Sequence, residues 1–305
     1  FPMFPAWLIC KLRRIPFVME VRDLWPASAV QMGILKNRQL IGIMAWMERV
    51  LYNQAEKIVA LTEGIRDDIC ARGWPKSKVE LVTCGVDFDK LYPDAPGSAF
   101  IRNKYGWQDK KIVLYFGALG EANNLPVTLR TAQRLQSRQD IVFVLIGDGM
   151  KRVETEKQVA ASGLRNVLVL PPVPKDVARL YINAADLCLV TLRDIPLFDG
   201  AIPTKLIDYM ACGKAVLCGI RGEAERIVDD AGAGVIFEPD NDEQLSELVA
   251  ELLQDAKRVE RMGAGGLAYV QSRFSAATMR EQMESVLLAA TKKNQSSEVV
   301  EGRLG

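Results

Sequence analysis

Lys205 and Asp208 stand three residues apart in the stretch Phe198 to Gly213, and no other pair in this chain is better spaced for chemistry. The stretch reads as a turn running into a short helix, with Pro203 at the first helical position and Gly213 just past its end. A helix entered this way leaves backbone N–H groups without intrahelical acceptors, which suits an anion. Lys205 adds a cation in the first turn. Asp208, on the same helical face, adds a carboxylate able to accept from ribose hydroxyls. Together they outline a cradle for a nucleotide sugar. The competing reading is a local ion pair between the two side chains.

What the sequence lacks narrows the chemistry. The 305 residues contain no histidine, which removes Ser-His-Asp, Cys-His and histidine-ligated metal sites from this stretch. The six cysteines (Cys10, Cys70, Cys84, Cys188, Cys212 and Cys218) are scattered, without metal-ligand spacing. They read as reduced thiols of a cytoplasmic protein. With 39 basic against 38 acidic residues, no long-range field points to nucleic acid. Asp87-Phe88-Asp89 has the Asp-x-Asp spacing of a metal-binding pair. It sits at a crossover away from Lys205, so no metal is expected there. No run is apolar enough to span a bilayer.

The elements that must position these residues alternate along the chain. Strands are expected at 16–21, 57–61, 79–83, 112–116, 141–146, 167–170, 187–190, 215–218 and 235–237. Helices are expected at 39–53, 63–72, 125–137, 151–162, 175–184 and 221–229, with helices alone from Asp242 to about Ala290. Continuous apolar strands alternating with helices imply parallel sheets covered on both faces. Turn formers from Pro93 to Ser98 mark a join. The division expected is 1–94 as the remainder of one α/β domain, 95–290 as a second, and 291–305 as a loosely ordered tail. The front part has only three strands and opens on Phe1, so an N-terminally incomplete chain is expected. Trp7 to Ile15, apolar with Lys11, Arg13 and Arg14, reads as an amphipathic helix. In open α/β sheets ligands collect beyond the carboxyl ends of strands. The small-residue loops at Gly117–Gly120, Gly147–Gly149 and Asp199–Ala201 lie at such ends.

From about Pro16 to Ala290 the sequence resembles the family 4 glycosyltransferases of GT-B type. The resemblance is carried by Tyr115 to Asn124, by Phe143 to Gly149, and by Pro203 to Val216. Gly222-Glu223, Ala231 to Val235, Val21 to Pro26 and Gly85-Val86-Asp87 add to it. Arg22-Asp23-Leu24-Trp25-Pro26 is similar to a branch that builds bacterial surface polysaccharides, including N-acetylfucosamine-transferase-like enzymes. The resemblance implies two Rossmann-like doubly wound domains, the first only partly present. It gives Lys205 the role of countering diphosphate charge and Asp208 that of the family's second acid. It points to Gly117, Leu119, Gly120, Gly147, Gly200, Ala201, Ile202 and Thr204 as donor-binding, and to Arg22 and Asp23 as candidate catalytic residues. Gly200 stands where the family's first acid falls, and Asn123 and Asn124 stand where a basic residue is common.

The resemblance implies a retaining transfer from a nucleotide-diphosphate sugar, without a metal or other cofactor. The implied acceptor is a glycan or a polyprenyl-diphosphate-linked sugar at the inner face of the plasma membrane. The apolar, basic segment Phe1–Arg14 is expected either to touch that membrane or to pack as a core helix. A nucleotide-sugar epimerase of similar shape and a non-catalytic sugar-nucleotide-binding protein are the alternatives.

Overall fold

Runs rich in Val, Ile and Leu form nine strands, all paired in parallel. The computed structural model describes residues 3–301, with side chains as far as residue 291. The chain begins α1 (Met3–Leu12), β1 (Val18–Val21), α2 (Ala27–Gln31), α3 (Arg38–Gln54), β2 (Lys57–Ala60), α4 (Glu63–Ala71) and β3 (Val79–Leu81). It continues with α5 (Ala95–Tyr105), β4 (Lys111–Phe116), α6 (Leu125–Arg134), β5 (Ile141–Ile146), α7 (Arg152–Ala161), β6 (Val167–Leu170), α8 (Ala178–Ala184) and β7 (Leu187–Thr191). The last elements are α9 (Thr204–Ala211), β8 (Ala215–Gly219), α10 (Glu223–Ala231), β9 (Gly234–Ile236), α11 (Asp242–Leu252), α12 (Ala256–Arg273) and α13 (Ala276–Glu301). All nine expected strands are present. The helix expected at Trp7–Ile15 lies earlier, at Met3–Leu12.

Two compact units divide the chain: residues 1–85 with 276–305, and residues 86–275. The first unit holds a three-stranded sheet in the order β1-β2-β3. Helix α13 returns to it, packing Met279, Met283 and Val286 against Val18, Val59 and Val82. The boundary therefore differs from the 94/95 division read from sequence, for two physical reasons. Val86 and Leu91 are buried in the core of the second unit, and the Val86 N–H donates to the Phe274 carbonyl at 2.7 Å. The join at Pro93–Ser98 is also not a linker but the start of α5. Asp94 caps it by accepting from the Gly97 N–H at 2.9 Å, and Pro96 sits in its first turn, where a missing N–H costs nothing. The tail expected from Thr291 is helical as far as Glu301, and residues 302–305 lie outside the described residues.

The second unit is a six-stranded sheet in the order β6-β5-β4-β7-β8-β9. From β4 the chain winds outward through β5 and β6, then returns to β7 beside β4 and winds the other way. This doubly wound order places a switch point between β4 and β7, where the first loops on either side diverge and leave a crevice. Both faces of the sheet are covered. Ile112 and Leu114 of β4 enter one core with Leu206, Ile207 and Met210 of α9. Val113 and Tyr115 enter the other, with Leu125 and Leu129 of α6.

Candidate functional site

The loops leaving β4 and β7 are tied together at the switch point. The Arg193 N–H donates to the Ala122 carbonyl at 2.9 Å, and the Thr191 hydroxyl donates to the Asn123 carbonyl at 2.7 Å. After β7 the chain makes a 3₁₀ turn (Pro196–Gly200), extends through Ala201 (φ −97°, ψ 139°), and enters α9. Pro203 is the N-cap of that helix, one residue before the first helical position expected for it, because its ψ of 129° is extended. Its carbonyl accepts from the Leu206 N–H at 2.9 Å. Its side chain offers no cap, so the opening turn has N–H groups suited to an external acceptor.

Lys205 projects from this turn toward the end of β4. Its Nζ donates to the Tyr115 hydroxyl at 2.5 Å and to Asn123 Oδ1 at 2.9 Å, and lies 3.9 Å from the centroid of the Tyr115 ring. Burial pushes its pKa down to about 7. Lys151 and Arg193 flank the same loop, yet both pair with Glu121, at 3.0 and 3.4 Å. Among the described residues Lys205 pairs with no carboxylate. In its protonated form the group carries a charge that no carboxylate cancels, open to an anionic ligand.

Asp208 is half-buried one turn on, and no ion pair joins it to Lys205 among the described residues. Burial raises its pKa to about 6, a shift opposed by Lys175. The local Lys205–Asp208 pair that the spacing allowed is thus not formed. Tyr209, between them in the helix, clamps α9 to the sheet: its hydroxyl accepts from the Phe116 N–H at 2.7 Å and faces the Phe116 carbonyl at 3.1 Å.

Of the remaining residues expected at a donor site, Gly117, Gly120, Gly200, Ala201, Ile202 and Thr204 lie on the β4 loop, the β7 loop or the start of α9. Gly117 has φ +148°, and a Cβ there would lie 3.2 Å from Lys205 Cε. Two of the expected residues do structural work instead. Leu119 is fully buried in the core; its N–H donates to the Asp148 carbonyl and its carbonyl accepts from the Lys151 N–H, so its side chain and N–H are engaged within the fold. Gly147, at φ +155°, approaches so closely that a Cβ would lie 1.8 Å from the Gly117 oxygen. It lets the β4 and β5 loops stack.

Arg22 and Asp23 lie in the first unit, at the carboxyl end of β1. Asp23 accepts from the Ser28 hydroxyl at 3.2 Å, while Arg22 is exposed, facing Cys84 Sγ at 3.7 Å and Glu20 at 3.7 Å. The Asp87 carboxylate pairs with Lys90 at 2.9 Å and accepts from the Asp89 N–H. No helix among the described residues is long and apolar enough to cross a membrane. Tyr115 and Asn123 were not singled out from the sequence as site residues. The available signal was Tyr115 at the penultimate position of a strand that ends on glycine.

A doubly wound parallel sheet with a cation and uncapped N–H groups at its switch point has the layout in which open α/β proteins collect ligands. Family comparison narrows this. Residues 98–267 match the model of the glycosyl transferases group 1, and residues 2–85 match that of the glycosyl transferase 4-like domain. The chain belongs to the group 1, family 4 glycosyltransferases, and its fold is GT-B. It is 23% identical over 287 residues to the alpha-D-kanosaminyltransferase of Streptomyces kanamyceticus, covering 93% of this chain and 73% of that one. It is 22% identical over 222 residues to a GDP-mannose-dependent alpha-(1-6)-phosphatidylinositol monomannoside mannosyltransferase of Mycolicibacterium smegmatis. That match covers 72% of this chain and 58% of the relative, so the chain spans little more than half of that protein. Anabaena HepE, crystallised with UDP-glucose, superposes with a TM-score of 0.78 at 17% identity, over 93% of this chain and 75% of HepE.

Proposed function

We propose that this chain transfers a hexosyl or N-acetylhexosaminyl unit from a nucleoside-diphosphate sugar to a glycan or lipid-linked sugar, with retention of configuration. One observation carries the reading: the Lys205 ammonium is held beside the uncapped start of α9 by neutral groups alone. The diphosphate docks there, its charge facing Lys205 and the N–H groups of the first helical turn. Asp208 accepts from a ribose hydroxyl. As the bond from the anomeric carbon to the diphosphate oxygen breaks, negative charge grows on the leaving group. A fixed cation and fixed N–H donors stabilise that charge more in the transition state than in the ground state. The acceptor oxygen bonds the anomeric carbon from the same face, and its proton passes to the departing diphosphate. No metal is required in this scheme.

Arg22 and Asp23 are assigned to the acceptor side. The acceptor is a polyprenyl-diphosphate-linked sugar of surface-polysaccharide synthesis, met at the cytoplasmic face of the plasma membrane. Exposed Leu8, Ile9 and Leu12 beside Lys11 on α1 support a peripheral membrane contact. Relatives that use GDP-mannose, and a neighbour crystallised with UDP-glucose, support the donor class. The test is saturation-transfer NMR against UDP-, GDP- and TDP-sugars, with the Lys205→Ala variant as control. Binding of one donor by the wild type and its loss in the variant is expected. Equal binding of every donor by both proteins removes the assignment.

A further inference from the structure

We propose that Tyr115 and Asn123 are positioning residues, which hold the Lys205 ammonium at the carboxyl end of β4 with its charge left uncancelled. The inference rests on the donor-site reading above and extends it to two side chains on other elements, 90 and 82 residues away in sequence.

Each partner is itself fixed. The Tyr115 hydroxyl gives its proton to the Ala118 carbonyl at 2.7 Å, so toward Lys205 it acts only as an acceptor. Its ring lies buried in the core, which presents the electron-rich face to the ammonium 3.9 Å away. Asn123 is held by its backbone: the carbonyl accepts from the Thr191 hydroxyl at 2.7 Å and the N–H donates to Gly120 at 3.2 Å. Because an ammonium only donates, the amide must turn its oxygen to Lys205, which directs its NH₂ elsewhere. Gly117 completes the arrangement, since its missing side chain leaves room for the lysine stem.

The chemistry of the partners matters as much as their placement. Lys151 and Arg193, around the same loop, share Glu121, and Lys151 also pairs with Glu154. Two neutral acceptors and a ring face instead stabilise the ammonium without cancelling it. They occupy two of its three N–H donors and leave the third for a ligand. A lysine side chain that would otherwise sample many rotamers is thereby held in one place.

Two readouts test this, one independent of any nucleotide. Tyr115→Phe keeps the ring and removes the hydroxyl, and Asn123→Ala removes the amide; circular dichroism confirms the fold of each. The first readout is the acetylation rate of Lys205 at pH 6, where the ammonium still predominates, with a water-soluble N-hydroxysuccinimide ester, followed by peptide mass spectrometry. Losing an acceptor destabilises the charged form, so labelling should rise at least threefold in each variant. The second is UDP affinity by calorimetry, expected to weaken about tenfold in each variant while uridine affinity stays level. Unchanged labelling in both folded variants overturns the positioning role. Faster labelling with no binding of UDP, GDP or TDP even by the wild type leaves the positioning intact and removes the donor reading instead.

Discussion

Replacing Lys205 with alanine isolates the electrostatic part of the site. At about 4 Å and an effective dielectric constant near 20, an ammonium and a phosphate oxygen attract by about 4 kcal/mol. Burial reduces that gain, because the same environment that strengthens the attraction pushes the lysine pKa down to about 7. A net loss of about 1.5–3 kcal/mol is expected, the range for hydrogen bonds to charged groups. That is a rise of about 10- to 150-fold in Kd for UDP or the cognate nucleoside diphosphate. Calorimetry with the nucleoside diphosphate, the monophosphate and the nucleoside separates phosphate recognition from base recognition. The variant should lose affinity for the diphosphate and keep that for the nucleoside. The pH dependence carries a second signature. Below pH 7 the lysine of the free protein is charged; above it, binding must first load a proton. Wild-type affinity therefore falls by up to tenfold per pH unit above 7, until the pKa of the complex is reached. The variant shows no such decline, and taking the ratio of the two proteins removes the titration of the phosphate itself. Equal affinity of both proteins for the diphosphate, or parallel loss of diphosphate and nucleoside binding, refutes the reasoning.

Three further substitutions probe the frame around the lysine. Gly147→Ala places a Cβ against the Gly117 oxygen at a left-handed φ, so urea unfolding should show a loss of at least about 2–3 kcal/mol. Tyr209→Phe leaves the Phe116 N–H without its acceptor and should cost about 1–3 kcal/mol, with nucleotide binding weakened because α9 loses its clamp. Asp208→Asn bears on pH and on ribose. The folded-state pKa of about 6 lies above that of an unfolded aspartate, with Lys175 the charged group that opposes the rise. Its protonated form is thus favoured by folding, and wild-type stability should decline as pH rises from about 4 through 6. The amide should remove that decline and raise Tm at pH 7.5; because its Oδ1 still accepts from a hydroxyl, the preference for UDP over its 2′-deoxy analogue should narrow rather than vanish.

The sheets were legible because strands buried on both faces are written as unbroken apolar runs, such as Ile141–Ile146 and Leu187–Thr191. The loop ends of those strands then located the switch point. Helix α5 was hidden because Pro93 to Ser98 has the composition of a turn. Only the Asp94 cap, visible once the backbone is placed, shows that these residues open a helix. The return of α13 to the first unit was equally out of reach, since it depends on Met279, Met283 and Val286 meeting strands some 200 residues earlier. At the site, Lys205 and Asp208 could be read from local spacing, but their lack of mutual pairing could not. Tyr115 and Asn123 reach Lys205 through the fold alone. Leu119 is the converse case: it lies on the loop read from the sequence, yet its side chain alternates into the core.

The central claim is that a diphosphate binds where the β7 loop turns into α9. A crystal structure with the cognate nucleoside diphosphate tests it most directly. The account predicts phosphate oxygens within hydrogen-bonding distance of Lys205 Nζ and of the Thr204 and Lys205 backbone N–H groups. A nucleotide bound with its phosphates away from this turn, and Lys205 still engaged only by Tyr115 and Asn123, would contradict it.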